Sequence, residues 1–354
     1  MAPTSVSPPP LRPPKANTQK YKVALCQLLV SADKEENIAR ARSRIEAAAD
    51  AGAMLIVMPE IWCCPYSMDT LPSYAEDIDG GASPSISMLS EVAAARKITI
   101  VGGSIPEKAS GKVFNTCCVI GTDGQILAKH RKIGRFQLHL FEIDIPGDIK
   151  LNESDTSTGG QEPTVVDTDV GRIGIGICHD IRFPELAMLY RSRGAHLICY
   201  PSAFNISTGE LLWDLMQKSR AVDNQVLKFF LQHRTFVMKL HVIQRSRPEF
   251  SWFQLFVATC SPARDPNTKS EYMIWGHSSL IGPFGEVLAA ARHEEATVMG
   301  EVDLSMIQST RENLPLEMQS RGDLYRLVDV QRQRETASNG ARARGSGERR
   351  RSGQ

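Results

Sequence analysis

The chain is predicted to be an α/β protein, and three stretches carry that prediction. Lys22 to Met58 reads strand, helix, strand, the repeat that builds a sheet with helices laid across it. Ala53-Met54-Leu55-Ile56-Val57-Met58 is an unbroken apolar run, the mark of a strand covered on both faces. Ile173, Ile175 and Ile177 alternate with Gly174, Gly176 and Cys178, so one face of that strand carries bulk and the other bare backbone.

Structure is expected to start near Tyr21, after a proline-rich arm over residues 1–20 that holds no acidic residue and reads as disordered. Lys22 to Leu28 forms the first strand. Glu35 to Ala51 has helical periodicity and stops at Gly52, a residue that ends helices because it tolerates a left-handed backbone. The strand from Ala53 then delivers Pro59-Glu60 at its carboxyl end. Ser85 to Arg96 reads as a helix, Ile98 to Val101 as a strand running into Gly102-Gly103, and Asn115 to Ile120 as a strand closed by the turn Thr122-Asp123-Gly124. Gln125 to Lys132 is its partner; in period two, Ile126, Ala128, His130 and Lys132 share one face, and Lys129 and Arg131 the other. Beyond Cys178 follow a helix (Pro184 to Arg193), a strand (His196 to Tyr200), a helix (Leu211 to Asn224), a strand (Leu255 to Thr259) and a hairpin around Gly282-Pro283-Phe284-Gly285. The Arg-, Gly- and Ser-rich tail over 332–354 reads as disordered, leaving 21–331 as the folded domain.

Bulk properties narrow the function. With 354 residues, 42% of them hydrophobic, the chain can bury a substantial core. Lys and Arg number 41 against 40 Asp and Glu, a net charge of +1, so neither nucleic acid nor an anionic membrane is an expected partner. No apolar run reaches the length of a bilayer span. The eight cysteines are scattered with no C-x-x-C pair, so neither a zinc site nor a disulfide framework is expected. Such usage fits a reducing compartment. The expected location is cytoplasmic, with an organelle as the alternative if the N-terminal arm is a targeting segment.

Cys178 stands where its strand stops, and Pro184 suits the first turn of the next helix because that position needs no N–H. The thiol is therefore expected on a sharp, exposed turn, with the following backbone N–H groups able to face a developing oxyanion. Each neighbouring signal has a plain explanation by itself: most cysteines are packing, a Pro-Glu after a strand often caps a helix, and a lysine in a basic run is usually solvated. Parallel sheets nevertheless gather chain-distant groups at their carboxyl ends. Glu60, Lys132 and Cys178 would together supply a proton-carrying carboxylate, a cation and a nucleophile. An ammonium lowers a thiol from its usual ~8.5, so Lys132 is expected to raise the thiolate fraction at neutral pH.

Pro59-Glu60, His130-Arg131-Lys132-Ile133 and Cys178-His179-Asp180-Ile181-Arg182-Phe183-Pro184-Glu185 resemble the three signature blocks of the nitrilase superfamily of carbon-nitrogen hydrolases, and the resemblance covers roughly Tyr21 to Gln331. Within it, Tyr200 to Asn205, Ser219 to Gln225 and Ala258 to Arg264 look like the omega-amidase branch. The resemblance implies an αββα sandwich, a catalytic triad of Glu60, Lys132 and Cys178, a second acidic residue matching Glu153, a homodimer joined through outer helices or a higher homo-oligomer, and no metal or organic cofactor. It also implies a small amide substrate, a 2-oxo acid bearing a terminal amide, whose remote carboxylate needs donors. Arg182, Tyr66 and Thr208 are the candidates, because a guanidinium binds a carboxylate bidentately and hydroxyls add donors. The competing readings are a surface ion pair for Arg182 and core packing for Tyr66.

Three features depart from the family pattern. His179 stands beside the nucleophile where the family usually carries tyrosine; a residue adjacent in sequence cannot easily turn back to the thiol, so it is a candidate for substrate contact rather than half of a protease-like dyad. Gly134-Arg135-Phe136-Gln137-Leu138 is an insert beginning two residues after Lys132, and Val226 to Gln254 is a longer one, basic and apolar with one acidic residue, Glu249. The long insert reads either as a translated intron, since Gln-Val and Phe-Gln can be encoded by splice-site sequences, or as a loop grown in place. Three functions stay open: an omega-amidase, another amidase of the superfamily acting on deaminated glutathione or an N-carbamoyl compound, and a catalytically impaired isoform with a binding role.

Overall fold

The computed structural model describes residues 20–133, 142–144, 150–152, 156–222, 255–267, 272–307, 324 and 327–332. Both inserts, Glu153, residues 1–19 of the N-terminal arm and the tail beyond 332 lie outside the described residues, while Lys20, expected in the arm, opens the first strand. One sheet holds, in spatial order, β15 (Ala296–Asp303), β1 (Lys20–Gln27), β2 (Ala53–Val57), β3 (Thr99–Val101), β5 (Lys112–Ile120) and β4 (Ile105–Ala109), with β6 (Ile126–Arg131) on the far edge of β5. The other runs β14 (Val287–Ala290), β13 (Ser279–Ile281), β12 (Phe256–Cys260), β11 (Leu197–Pro201), β10 (Gly171–Ile175) and β9 (Thr164–Thr168). β7 (Glu142–Asp144) and β8 (Lys150–Asn152) form a separate ladder.

The centre of each sheet is parallel: β1, β2 and β3 in one, β10, β11 and β12 in the other. Helices make the crossovers: α1 (Lys34–Asp50) and, with the short α2 (Leu71–Tyr74) before it, α3 (Pro84–Arg96) in the first half, α4 (Pro184–Ser192) and α5 (Ile206–Val222) in the second. Period-two patterning then decides the layers. Val23, Leu25, Leu55, Val57 and Val101 turn inward to meet Ile173, Ile175 and Phe256 of the opposite sheet. Ala24, Cys26, Ile56 and Ile100 turn outward against Ala41, Ile45 and Ala48 of α1 and Leu89, Val92 and Ala93 of α3. The result is the αββα sandwich.

Local chemistry sets the element ends. Asp33 caps α1 by accepting the Glu36 N–H at 3.0 Å, and Ser83 with Pro84 starts α3 in the same way. α5 begins five residues before the expected Leu211, because Asn205 accepts the Ser207 N–H at 2.9 Å and opens the helix across Gly209. Gly209 disguised that start; a Cβ there would come within 2.3 Å of the Trp275 ring, so packing required the glycine. β4, β9 and β15 were not anticipated: Pro106 and Glu107 interrupt β4, and Gly300 with Glu301 breaks the pattern of β15, whose place is fixed by antiparallel pairing with β1.

The bare face of β10 is filled by aromatic rings: a Cβ on Gly176 would come within 2.5 Å of Tyr200, and one on Gly174 within 2.8 Å of Tyr190. β6 is fastened on its outward face by Glu107 of β4. The buried Glu107 carboxylate takes hydrogen bonds from Arg131 (2.7 and 2.8 Å), Lys129 (2.8 Å) and Thr116 (2.6 Å). Burial by itself would raise this carboxyl, but Arg131, Lys129 and Thr116 overcome it and hold the pKa down at about 2, from 4.5. A carboxylate depressed in the folded state stabilises the fold above its unfolded pKa and loses that contribution as pH falls. Urea unfolding of the wild type and Glu107→Gln should therefore differ by roughly 3 kcal/mol at neutral pH, with the gap narrowing as pH drops from 4.5 toward 2. A gap independent of pH would mean the clasp does not carry this charge.

Candidate active site

Glu60 follows β2 on a turn that only a glycine opposite can accommodate. Gly103, after β3, has φ +65°, and a Cβ there would sit 2.2 Å from the Pro59 carbonyl. The same turn is fixed by Ser104 N–H to Pro59 O (3.0 Å) and by the Trp62 indole to Gly102 O (2.8 Å). The carboxylate so delivered has no solvent exposure.

Lys132 follows β6 directly. Its N–H donates to Asn115 O (2.8 Å) and its carbonyl accepts from Gly160 N–H (2.7 Å), so the backbone is held on both sides. Its buried ammonium reaches Glu60 Oε1 at 3.0 Å. Asn115 Nδ2 donates to the same oxygen at 2.9 Å.

Cys178 ends the run from β10 with φ +46°, a left-handed backbone that a non-glycine residue adopts only where its surroundings enforce it. A short 3-10 helix, Cys178–Arg182, leads on to Pro184 at the start of α4. Arg220 of α5 holds that short helix through the carbonyls of Ile181 (2.6 Å) and Arg182 (3.2 Å). The sharp turn is present. The thiol, however, is buried rather than exposed: His179, Arg182, Phe204, Thr208 and Tyr272 close around it to leave a narrow cavity.

The expected thiolate is likewise corrected. Burial first, and then the negative charge of Glu60, push Cys178 well above its usual pKa; the Lys132 ammonium and the Ala203 N–H pull down but do not win. A thiol raised this way holds its proton at neutral pH, with the Glu60 charge nearby. Three groups from distant parts of the chain thus meet: Lys132 is bonded to Glu60, and the charges of both act on the Cys178 sulfur. The arrangement can lend a proton acceptor to a nucleophile while keeping a cation beside the reacting centre.

Around this core, Arg182 is half-buried in the cavity wall, 5.6 Å over the Phe204 ring, with no ion pair among the described residues. Its buried Nε has no hydrogen-bond partner among them, and burial draws the guanidinium below its usual pKa. The surface ion-pair reading of Arg182 therefore does not hold among the described residues. Thr208 lines the same cavity, its hydroxyl donating to Asn205 O at 3.3 Å. His179 lies on the wall and meets Phe183 edge-on. Tyr66 is half-buried and stacks on Tyr272 at 4.7 Å. No described residue can be compared with the expected role of Glu153.

Sequence reasoning missed Asn115, Tyr272 and Arg220 as parts of this site. Asn115 was readable in hindsight as a polar residue in an otherwise apolar strand; the other two are set by tertiary contact. The eight cysteines are all free and buried, and no group of three or more His, Cys, Asp or Glu among the described residues is disposed to hold a metal. No described helix is long and apolar enough to cross a membrane.

The carbon-nitrogen hydrolase family matches residues 22–312, and the chain belongs to that family, within the nitrilase superfamily. It is 55% identical over 315 residues to a chloroplastic omega-amidase of Arabidopsis thaliana, spanning 88% of this chain and 76% of that protein. The omega-amidase NIT2 of Homo sapiens is 44% identical over 305 residues, covering 86% of this chain and 96% of its own. Among solved structures, Saccharomyces cerevisiae Nit3, a member of branch 10 of the nitrilase superfamily, is similar with a TM-score of 0.69 at 37% identity, covering 84% of this chain and 96% of that one.

The titration of Cys178 gives a direct check. Alkylation by iodoacetamide, followed on the Cys178 peptide, should rise with pH through a midpoint above the ordinary thiol range of ~8.5. Glu60→Gln removes an opposing negative charge and should bring that midpoint down. A midpoint at or below the ordinary range in the wild type would contradict the resting state described.

Proposed function

We propose that this protein is an omega-amidase, hydrolysing the terminal amide of 2-oxo dicarboxylic acid monoamides such as 2-oxoglutaramate and 2-oxosuccinamate to the dicarboxylate and ammonia. The observation that carries the chemistry is one buried carboxylate, Glu60, bonded to the Lys132 ammonium at 3.0 Å, with both charges close enough to act on the buried Cys178 sulfur. Similarity to omega-amidases over most of the chain supports the substrate class.

In this reading Glu60 takes the thiol proton as the Cys178 sulfur attacks the amide carbonyl. The tetrahedral oxyanion is held by Lys132 and the backbone N–H of His179, a kind of contact for which one donor is worth roughly 3 kcal/mol. Protonated Glu60 then gives its proton to the departing nitrogen, which leaves as ammonia, and a thioester remains on Cys178. Glu60 next deprotonates a water that attacks the thioester, and the thiol is restored as the carboxylic acid departs. Glu153 is assigned to position that water or Lys132. Since the resting thiol is protonated, proton transfer to Glu60 accompanies attack rather than preceding it.

Arg182 is assigned to the remote carboxylate of the substrate, with Thr208 and Tyr66 as hydroxyl donors and His179 against the chain between. A partly buried guanidinium with no ion pair among the described residues, and a buried Nε with no hydrogen-bond partner among them, is costly unless an anion arrives to use it, which favours a carboxylate-bearing substrate over a neutral amide. The impaired-isoform reading is disfavoured by the 3.0 Å Lys132–Glu60 contact, which holds although an insert begins two residues downstream. A homodimer through outer helices fits the exposed Leu211 and Leu215, one turn apart on α5. For location, the chloroplastic relative and the arm without acidic residues favour an organelle over the cytoplasm.

Ammonia release from 2-oxoglutaramate should be measurable for this chain and for the chain lacking both inserts, and absent in Cys178→Ser. Arg182→Met should raise KM for 2-oxoglutaramate at least tenfold while changing KM for an uncharged amide little. Equal activity on neutral amides in the wild type would overturn the substrate class, and release only after the inserts are removed would favour the impaired isoform.

A further inference from the structure

Two residues from each member of the Lys132–Cys178 pair lies a buried polar group with no part in the mechanism above. His130 precedes Lys132 by two positions on β6, so its side chain points to the same side of the strand. Asp180 follows Cys178 by two positions in the short 3-10 helix. Both side chains are fully buried.

They face each other. His130 Nε2 is 3.3 Å from Asp180 Oδ2, and that same oxygen accepts the Ile177 N–H at 2.8 Å, at the last residue before the nucleophile. The other ring nitrogen, Nδ1, is 3.0 Å from the Thr164 hydroxyl on β9. A continuous polar chain therefore runs from β9 through His130 to Asp180 and into the backbone of the turn that carries Cys178. Its middle member, His130, stands on β6, the strand that leads into Lys132, while both ends, Thr164 on β9 and the turn bearing the sulfur, belong to the opposite sheet. Apolar packing between the sheets is not directional and fixes no such register. Hydrogen bonds with a defined donor and acceptor do.

We propose that His130 and Asp180 are positioning residues that set the Lys132 ammonium against the Cys178 sulfur, with Thr164 holding the imidazole in the orientation that serves Asp180. The carboxylate acts at two points at once: it holds the strained turn closed through Ile177 N–H and draws β6 to it through the imidazole. Loosening the link lets the lysine strand and the nucleophile turn move independently. A displacement of about 1 Å between reacting groups costs on the order of a hundredfold in rate. Substrate binding at Arg182 is left largely intact, because Arg182 is held from the other side, through its carbonyl and that of Ile181, by Arg220. The inference rests on the reading of Cys178, Lys132 and Glu60 given above.

The test compares His130→Leu, which fills the space without a donor, with His130→Gln, whose carboxamide N–H can reach Asp180 in place of Nε2. Two readouts are taken on folded protein, verified by thermal melting: kcat and KM for 2-oxoglutaramate, and the pH midpoint of Cys178 alkylation by iodoacetamide, which needs no turnover. His130→Leu should lower kcat about a hundredfold with KM within about threefold of wild type, and should raise the alkylation midpoint as Lys132 loses its hold on the sulfur. His130→Gln should recover most of the lost kcat and return the midpoint toward the wild-type value. If His130→Leu does not fold, Thr164→Val decides: a several-fold fall in kcat at constant KM supports the assignment. A folded His130→Leu with wild-type kcat and midpoint overturns the proposal, as does a His130→Gln no better than His130→Leu, or a Thr164→Val with unaltered kcat. Should the wild type release no ammonia, the substrate reading fails separately, and the alkylation midpoints still decide the positioning role.

Discussion

The buried contact between Lys132 and Glu60 is the constraint on which the site depends. Two opposite charges removed from water at a separation of 3.0 Å lose their hydration, and neither survives there without the other. Removing one partner of such a pair costs on the order of 3–5 kcal/mol because a bare charge is left inside. The pair therefore ties β2 to β6 and, through the carboxylate, to the sulfur that ends the run from β10. It also explains the state of the nucleophile. A lysine whose charge is already engaged by a carboxylate can do only part of what a free ammonium would do to a nearby thiol. The same carboxylate that blunts the cation is the one that raises the thiol.

The fold was legible where one physical rule governed a whole segment. The apolar run over Ala53 to Met58, the Ile/Gly alternation ending at Cys178 and the helix stop at Gly52 each follow from burial or backbone preference, and they gave the parallel centres of both sheets. β4, β9 and β15 were not legible, because they are edge strands or strands carrying Pro106, Glu107 or Gly300, whose pairing is decided by neighbours far along the chain. At the site, the period-two reading of His130 and Lys132 on one face is matched by their burial, and Lys129 with Arg131 on the other by their common partner Glu107. The protonation of Cys178 was not legible. A sequence reveals that a lysine is near; it does not reveal how deeply both are buried or which carboxylate stands between them.

Glycine and aromatic residues divide the work around the nucleophile. Gly174 and Gly176 leave room for Tyr190 and Tyr200, whose rings support the strand that ends at the strained Cys178. Gly103 plays the matching part for Glu60 by letting two turns approach within backbone contact. Polar links then fix what the apolar core leaves adjustable: Asn115 to Glu60, Arg220 to the 3-10 helix, and Glu107 to β6. His179 stands apart from these links, lining the cavity and meeting Phe183 edge-on.

The proposed route is covalent, with the amide carbon passing through a thioester on Cys178. The most direct measurement is the partition of that intermediate between water and hydroxylamine, using an amide and an ester of the same 2-oxo acid. A common thioester forgets its leaving group, so the two substrates should give the same ratio of hydroxamate to free acid, and neither product should form in Cys178→Ala. Ratios that differ with the leaving group, or hydroxamate formed by the Cys178→Ala protein, would contradict the account.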